Sequence, residues 1–482
     1  MKIKNAIAAL SLSFLSLPAL SLAADAEKVV DTDKNTEMQI SIYNNNLAFV
    51  RDTRNIDLQR GENKVAFVGV SSQIRPETAM LFGKGIEVME QNYNYNLLNP
   101  SNLLEASVGK TVKTALYNEQ TGKTVYDTAV VLEAGYGKPV LKFSYGIETD
   151  FPGRVIYENV PDGLRTKPTL VVDMKNKSVA GAQNVELAYL TSGLSWKADY
   201  VADLQADNTL TLNGWITLKN DSGVDYNNAT VQLIAGSVNQ VSSNVIRPLM
   251  MARSFKAMGA VAESAAMDSA VPTSEAFADY YLYNLPAKTS IKDKQTKQVS
   301  LMVKNKVKYA KEYKLNSPLY LSYNSGENDF TKANPQVVYK LNNVKEDGLG
   351  EALPQGTIRF FENDSKKNLQ FIGEANLPQL ASGEKTELNL GQAFDIFASG
   401  KISSAKKISE KVTEASVEIT FNNAKDEAVE VEFTQNYGGT WKVNAESVKS
   451  EKKNAYASKW LVKIPAHGKE VLTYTVLLTK KD

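Results

Sequence analysis

The chain of 482 residues has no cysteine and one histidine, His467. Without thiols there is no disulfide, no thiolate metal site and no cysteine to carry a lipid. The histidine lies in the corner Pro465-Ala466-His467-Gly468, so imidazole acid–base chemistry would hang on one turn residue. No G-x-S-x-G elbow accompanies it. An excess of one charge is missing too: 55 Lys and Arg face 54 Asp and Glu, which offers no long-range pull on nucleic acid or anionic lipid. Gly109-Lys110-Thr111 and Gly122-Lys123-Thr124 end like phosphate loops but lack the glycine five positions earlier. Asp31-Thr32-Asp33 opens like a calcium loop, but Thr36 and Ile42 stand where glycine and a carboxylate are needed. No catalytic residue, metal ligand or cofactor is assigned. No repeat of fixed period is visible, which disfavours a propeller or solenoid.

What is present begins with a secretory pattern. Lys2 and Lys4 precede an apolar run over residues 6–20, and Ser21-Leu22-Ala23 precedes Ala24. Residues 1–23 are therefore expected to be a signal peptide, leaving 53 basic against 54 acidic residues. No later run approaches the roughly 20 apolar residues of a spanning helix. The mature chain is expected to be periplasmic or surface-associated, with no integral membrane span and no nucleic-acid partner.

Short alternating runs bounded by Gly, Asn and Asp dominate the rest, which predicts an all-β protein of two or three antiparallel sandwich or small barrel units. Residues 24–37 are polar and charged, and read as a flexible leader. Residues 38–175 form an N-terminal β domain. It holds one helix near residues 99–106, with Asn99 as cap, Pro100 in the first turn and Gly109 beyond the end. A central β domain spans 179–400, interrupted over 247–277 by an Ala-, Ser- and Met-rich insertion expected to be flexible. Residues 405–482 read as an immunoglobulin-like sandwich whose core holds Trp441 or Trp460.

Residues 185–201 organise the central domain. Val185, Leu187 and Tyr189, then Leu194, Trp196, Ala198 and Tyr200, form two period-2 rows broken at Ser192-Gly193. A second hairpin is expected around Asn220-Asp221-Ser222-Gly223. Trp196 and Tyr200 share one strand face and Lys197 and Asp199 the other. Together with Ser192 and Ser195 they form a candidate binding surface for a sugar or peptide, because rings flanked by polar edges suit both. The alternative is that the rings fill a core.

The runs T-S-G-L-S-W-K-A-D-Y-V (191–201) and G-W-I-T-L-K-N-D-S-G-V-D-Y-N-N-A-T-V-Q-L-I-A-G-S-V-N (214–239) resemble the signature of the domain-of-unknown-function 4139 family, some of whose members are labelled mucoidy-inhibitor-A-like. The likeness continues at residues 283–301, at L-P-Q-G-T-I-R-F (353–360) and at G-Q-A-F-D-I-F (391–397), and is strongest over 185–400. It implies a fold but no settled reaction. The expected function is non-catalytic: binding or scaffolding towards an envelope protein or glycan. A hydrolase with an unrecognised carboxylate site and a purely structural sandwich are the alternatives.

Overall fold

The computed structural model describes residues 27–135, 138–161, 163–236, 238–239, 272–277 and 280–480. Strands make up 64% of it and helices 4%, and no sheet closes on itself. The protein is therefore all-β, built from open sheets packed as sandwiches rather than from barrels. No helix among the described residues is long and apolar enough to cross a membrane. The chain divides into two compact units.

The described part of the first unit is residues 27–37 and 51–189. One sheet has the order Lys28–Val30, Gly61–Val68, Thr169–Asn176, Ile86–Asn94. Lys28–Val30 lies parallel to Val65, Ala66 and Phe67, and Val30 is buried. The stretch read as a flexible leader is thus ordered from residue 28, because a buried valine and a strand ladder hold it. Within Leu47–Leu58 alternate residues are buried without interruption, and Asp52 and Arg54 take their places in the buried row. Arg54 is 0% exposed. Its Nε and Nη2 donate to Asp52 Oδ2 at 3.0 and 2.6 Å, and Nη1 donates to the carbonyls of Val30 and Val68 at 2.6 and 2.8 Å.

Between Ile86–Asn94 and Thr169–Asn176, which pair with each other, the chain makes an excursion. The excursion is a five-stranded sheet of order Gly146–Glu148, Val140–Phe143, Lys123–Glu133, Thr111–Asn118, Arg154–Ile156. A bridge between Leu97 and Arg165 closes its base. The helix is Pro100–Glu105: Asn99 accepts from the Asn102 amide at 2.9 Å, Pro100 fills the first turn, and Gly109 follows at φ 79°, as the residues predict. Leu104 packs on Val112, Ala129, Val131, Leu141 and Phe143.

The second unit's described part is residues 38–50 and 190–480. Residues 38–50, read as the start of the N-terminal domain, belong here because residues 39–43 pair in parallel with residues 230–234. Leu194–Leu204 has both edges filled, by Thr209–Asn220 antiparallel and by Gly356–Asn363 in parallel. It therefore cannot pair with Gly181–Thr191, and Ser192-Gly193 is a corner between sheets, not a hairpin turn. The second expected hairpin fails for the same reason: Thr209–Asn220 pairs onward with Gln295–Asn316, while Tyr226–Ala235 joins the strand of residues 39–43 and Tyr280–Asn284.

Gln295–Asn316 is 22 residues long. Its first half pairs with Thr209–Asn220 and its second with Gln336–Asn342 and, in parallel, with Val429–Asn436. One strand thus serves both the central sheet and the C-terminal sandwich. That sandwich's second sheet runs Asn328–Ala333, Ile396–Ser409, Val412–Asn423, Lys469–Thr479, Thr440–Glu446. Residues 400–405, read as a domain boundary, lie inside a continuous strand there. Trp460 is in the core with Phe421, Phe433 and Tyr474, and Trp441 packs at its margin. Within the insertion expected at 247–277, residues 247–271 lie outside the described residues. Thr273–Phe277 is a strand paired with Tyr280–Asn284, which ends the interruption earlier than its composition suggested.

Candidate functional site

Of the six residues singled out in the sequence, Ser192 lies in the corner before Leu194–Leu204, and the other five separate onto the two faces of that strand. Trp196 is 2% exposed, donates Nε1–H to the Ile234 carbonyl at 3.3 Å, and meets the Tyr283 ring edge-on with centroids 6.1 Å apart. Tyr200 is fully buried and donates to the Pro354 carbonyl at 2.8 Å. Burial, with Tyr283 nearby, pushes its phenol well above the usual tyrosine range. Neither ring presents a face to a ligand.

Segments distant in sequence meet around these two rings. Gly214 lies where a Cβ would stand 2.8 Å from Met302 and 3.4 Å from Tyr200. At Gly356 a Cβ would come within 2.2 Å of the Ala198 carbonyl oxygen, so only glycine starts the parallel ladder there. Tyr283 donates to the Ala352 carbonyl at 3.1 Å. The segments at 191–201, 214–236, 283–301 and 353–360 are thus bound to one another by packing and backbone contacts, and the work visible in them is assembly of the sheets.

Lys197 and Asp199 face the other way. Asp199 Oδ1 accepts from Lys197 Nζ at 3.2 Å and Arg359 Nη1 at 3.1 Å, and Oδ2 accepts from Thr217 Oγ1 at 2.7 Å. Gln298 donates to Thr217 at 3.2 Å, and Arg359 Nε lies 3.2 Å from Glu374. This row crosses five strands, and Trp215, paired opposite Asp199 and 40% exposed, stands beside it. Partial burial works against ionisation of Asp199, but the Thr217, Arg359 and Lys197 donors outweigh it and hold its carboxyl below the usual range. Ser192 and Ser195 are half-buried. Every donor to Asp199 comes from the sheet itself, so the row ties strands together rather than waiting for a substrate.

A depressed folded-state pKa stabilises the fold at pH values above the ordinary aspartate value of 3.8, and that stabilisation is lost as pH falls through the folded value. Asp199→Asn is expected to lower stability by about 1–3 kcal/mol near neutrality. The gap between variant and wild type should narrow as pH drops below about 4. Urea titrations over a pH series check this, and a gap that stays constant into acid would refute it.

His467, in a left-handed turn conformation at φ 50°, is exposed; its ring Nε2 lies 2.8 Å from Asp426 Oδ1 and its backbone amide donates to the Lys425 carbonyl at 3.1 Å. Among the described residues no three His, Asp or Glu side chains converge as metal ligands would.

A concave feature lies elsewhere, in the excursion of the first unit. An open groove of about 900 Å³ runs between the helix Pro100–Glu105 and residues 150–160. Leu98, Leu103, Pro139, Phe151, Val155, Tyr157 and Val160 line it, and Lys138, Asp150, Arg154 and Glu158 also contribute to its wall. Lys138 and Asp150 pair at 2.7 Å. Arg154 and Glu158 are exposed and have no ion-pair partner among the described residues. Leu98 is 37% and Val160 50% exposed, so the groove keeps apolar surface in water. Sequence reasoning passed over this place. The available signal was F-P-G-R-V-I-Y-E-N-V-P (151–161), apolar residues between Gly and Pro breakers that form only the three-residue strand Arg154–Ile156.

No family model matches the chain, and no curated protein matches it.

Proposed function

We propose that this chain is an exported, non-catalytic protein of the cell envelope, periplasmic or surface-associated, that binds or scaffolds a protein or glycan partner. The observation that carries the reading is the groove. It is concave, lined mainly by apolar side chains, bordered by Arg154 and Glu158, which have no ion-pair partner among the described residues, and formed on ordered elements, the combination that ligand sites share. The likeness of residues 185–400 to the domain-of-unknown-function 4139 family supports a common sheet framework and adds no reaction. A hydrolase would need a nucleophile–base pair or two facing carboxylates, and the acidic residues of the groove, Asp150 and Glu158, share it with Lys138 and Arg154 instead.

Crosslinking in intact cells tests the proposal, comparing the wild type with Leu98→Asp/Val160→Asp, both surface positions. Loss of at least tenfold in recovery of one identified partner in the groove variant is expected. Equal recovery from both forms, or turnover by the purified chain across a broad hydrolase panel, would overturn the reading. In the same cells the mature chain should begin at Ala24 and fractionate outside the cytoplasm. A chain that keeps Met1 and stays in the cytoplasm would remove the envelope part of it.

A further inference from the structure

The groove's wall includes an open sheet edge. Arg154–Ile156 ends the five-stranded sheet and, among the described residues, pairs on one side only, with Thr111–Asn118, and Gly153, Arg154 and Val155 line the groove itself. In an antiparallel edge strand, alternate N–H and C=O groups point away from the ladder. A ligand that matches such an edge needs donors and acceptors at strand spacing, about 3.3 Å per residue. A polypeptide has them, and a glycan does not. The apolar lining beside the edge adds a place for one side chain, and the free guanidinium of Arg154 and carboxylate of Glu158 each lack a counter-charge among the described residues.

Resting on the binding role given above, we propose that the groove takes an extended peptide that adds a strand to Arg154–Ile156. The peptide sets one large apolar side chain among Leu98, Leu103, Phe151 and Val160, with an acidic residue towards Arg154 and a basic one towards Glu158. Main-chain hydrogen bonds supply affinity in this mode and the side-chain pocket supplies selectivity. The strand is three residues long, so the backbone part is small and the apolar anchor carries much of the binding.

The test uses the full mature chain and a displayed library of random twelve-residue peptides. Selected peptides are resynthesised with and without backbone N-methylation and measured by fluorescence anisotropy. The proposal expects selected peptides to contain an apolar residue flanked by acidic and basic ones, and to bind at least tenfold more weakly to Leu98→Asp/Val160→Asp. It also expects Arg154→Glu to weaken them severalfold, alternate N-methylation to weaken binding severalfold, and amide exchange at residues 153–156 to slow in the complex. Peptides that bind in the groove yet tolerate N-methylation at every position would overturn strand addition and leave the binding role standing. Failure to select any groove-dependent peptide, alongside a glycan on an array whose binding Leu98→Asp/Val160→Asp abolishes, would likewise refute the peptide while sparing that role. If neither peptide nor glycan depends on the groove, both readings fall. Circular dichroism and urea midpoints of the variants, at surface positions, show that lost binding is not lost folding.

Discussion

Replacing Arg54 with methionine is expected to cost about 3–5 kcal/mol of stability, seen as a fall in the urea midpoint of the first unit. The guanidinium is fully buried and satisfies three acceptors at once: the Asp52 carboxylate and the carbonyls of Val30 and Val68. It also sits 5.6 Å from the centroid of the Phe67 ring. Methionine fills much of the volume but leaves Asp52, 2% exposed, as an uncompensated buried charge. The other carboxylate oxygen, Oδ1, already has no hydrogen-bond partner among the described residues. Asp52→Leu/Arg54→Met should therefore be more stable than Arg54→Met alone, since removing both charges removes the desolvation penalty. Recovery stays incomplete because the buried Val30 carbonyl and the part-buried Val68 carbonyl still lose their donor, at about 1 kcal/mol each. A cost below about 1 kcal/mol for the single variant would show that the pair is not closed off from water as the structure has it.

Trp196→Ala should cost a similar amount, about 3–5 kcal/mol. The indole is packed between two sheets of the second unit and its N–H is spent on the Ile234 carbonyl. Truncation removes the ring and strands that carbonyl. Trp196→Phe keeps most of the volume and should cost clearly less. Thermal and urea denaturation measure both, and a Trp196→Ala protein as stable as the wild type would place the ring on the surface. Any partner lost by Trp196→Ala in cells thus reports unfolding, which is why the groove and not this tryptophan is the place to probe binding. Trp215→Ala, on the exposed side of the same ladder, should change stability far less.

Period-2 alternation was readable wherever one face of a strand meets a core and the other meets water, and so the all-β class was legible; the helix at Pro100–Glu105 was legible from Asn99, Pro100 and Gly109, and the C-terminal core tryptophan was narrowed to Trp441 or Trp460, of which Trp460 fills the core. Pairing was not. A glycine corner such as Ser192-Gly193 looks the same whether the chain turns back on its neighbour or crosses to another sheet. What decides is the filling of both edges of Leu194–Leu204 by strands that include one more than 150 residues later, at Gly356–Asn363. The run V-R-D-T-R-N-I (50–56) broke the apparent alternation because Asp52 and Arg54 occupy core positions, neutralising each other two residues apart on one strand face. Of the candidate surface, the alternation rightly separated Trp196 and Tyr200 from Lys197 and Asp199. It could not say which face met solvent, since both rows carry residues able to sit in either place. The groove was invisible because its wall joins a six-residue helix, a three-residue strand and the loops beside them, pieces too short to show either period and brought together only by the fold.

The parallel pairing of residues 39–43 with residues 230–234 sets an order on how the second unit can form. Ser41 and Gln232, in hydrogen-bond contact at 3.3 Å, are 191 residues apart. At ordinary synthesis rates the early strand waits roughly 10–40 s for its partner to exist. Its buried Ile40 and Ile42 and its bare ladder edge remain exposed throughout that interval, which is the condition under which chains find the wrong neighbour. The neighbouring strand Leu47–Leu58 can cover one edge early, but the edge that residues 230–234 fill stays open until they arrive, so a holding factor or delayed folding suits the early part of the chain better than rapid local collapse.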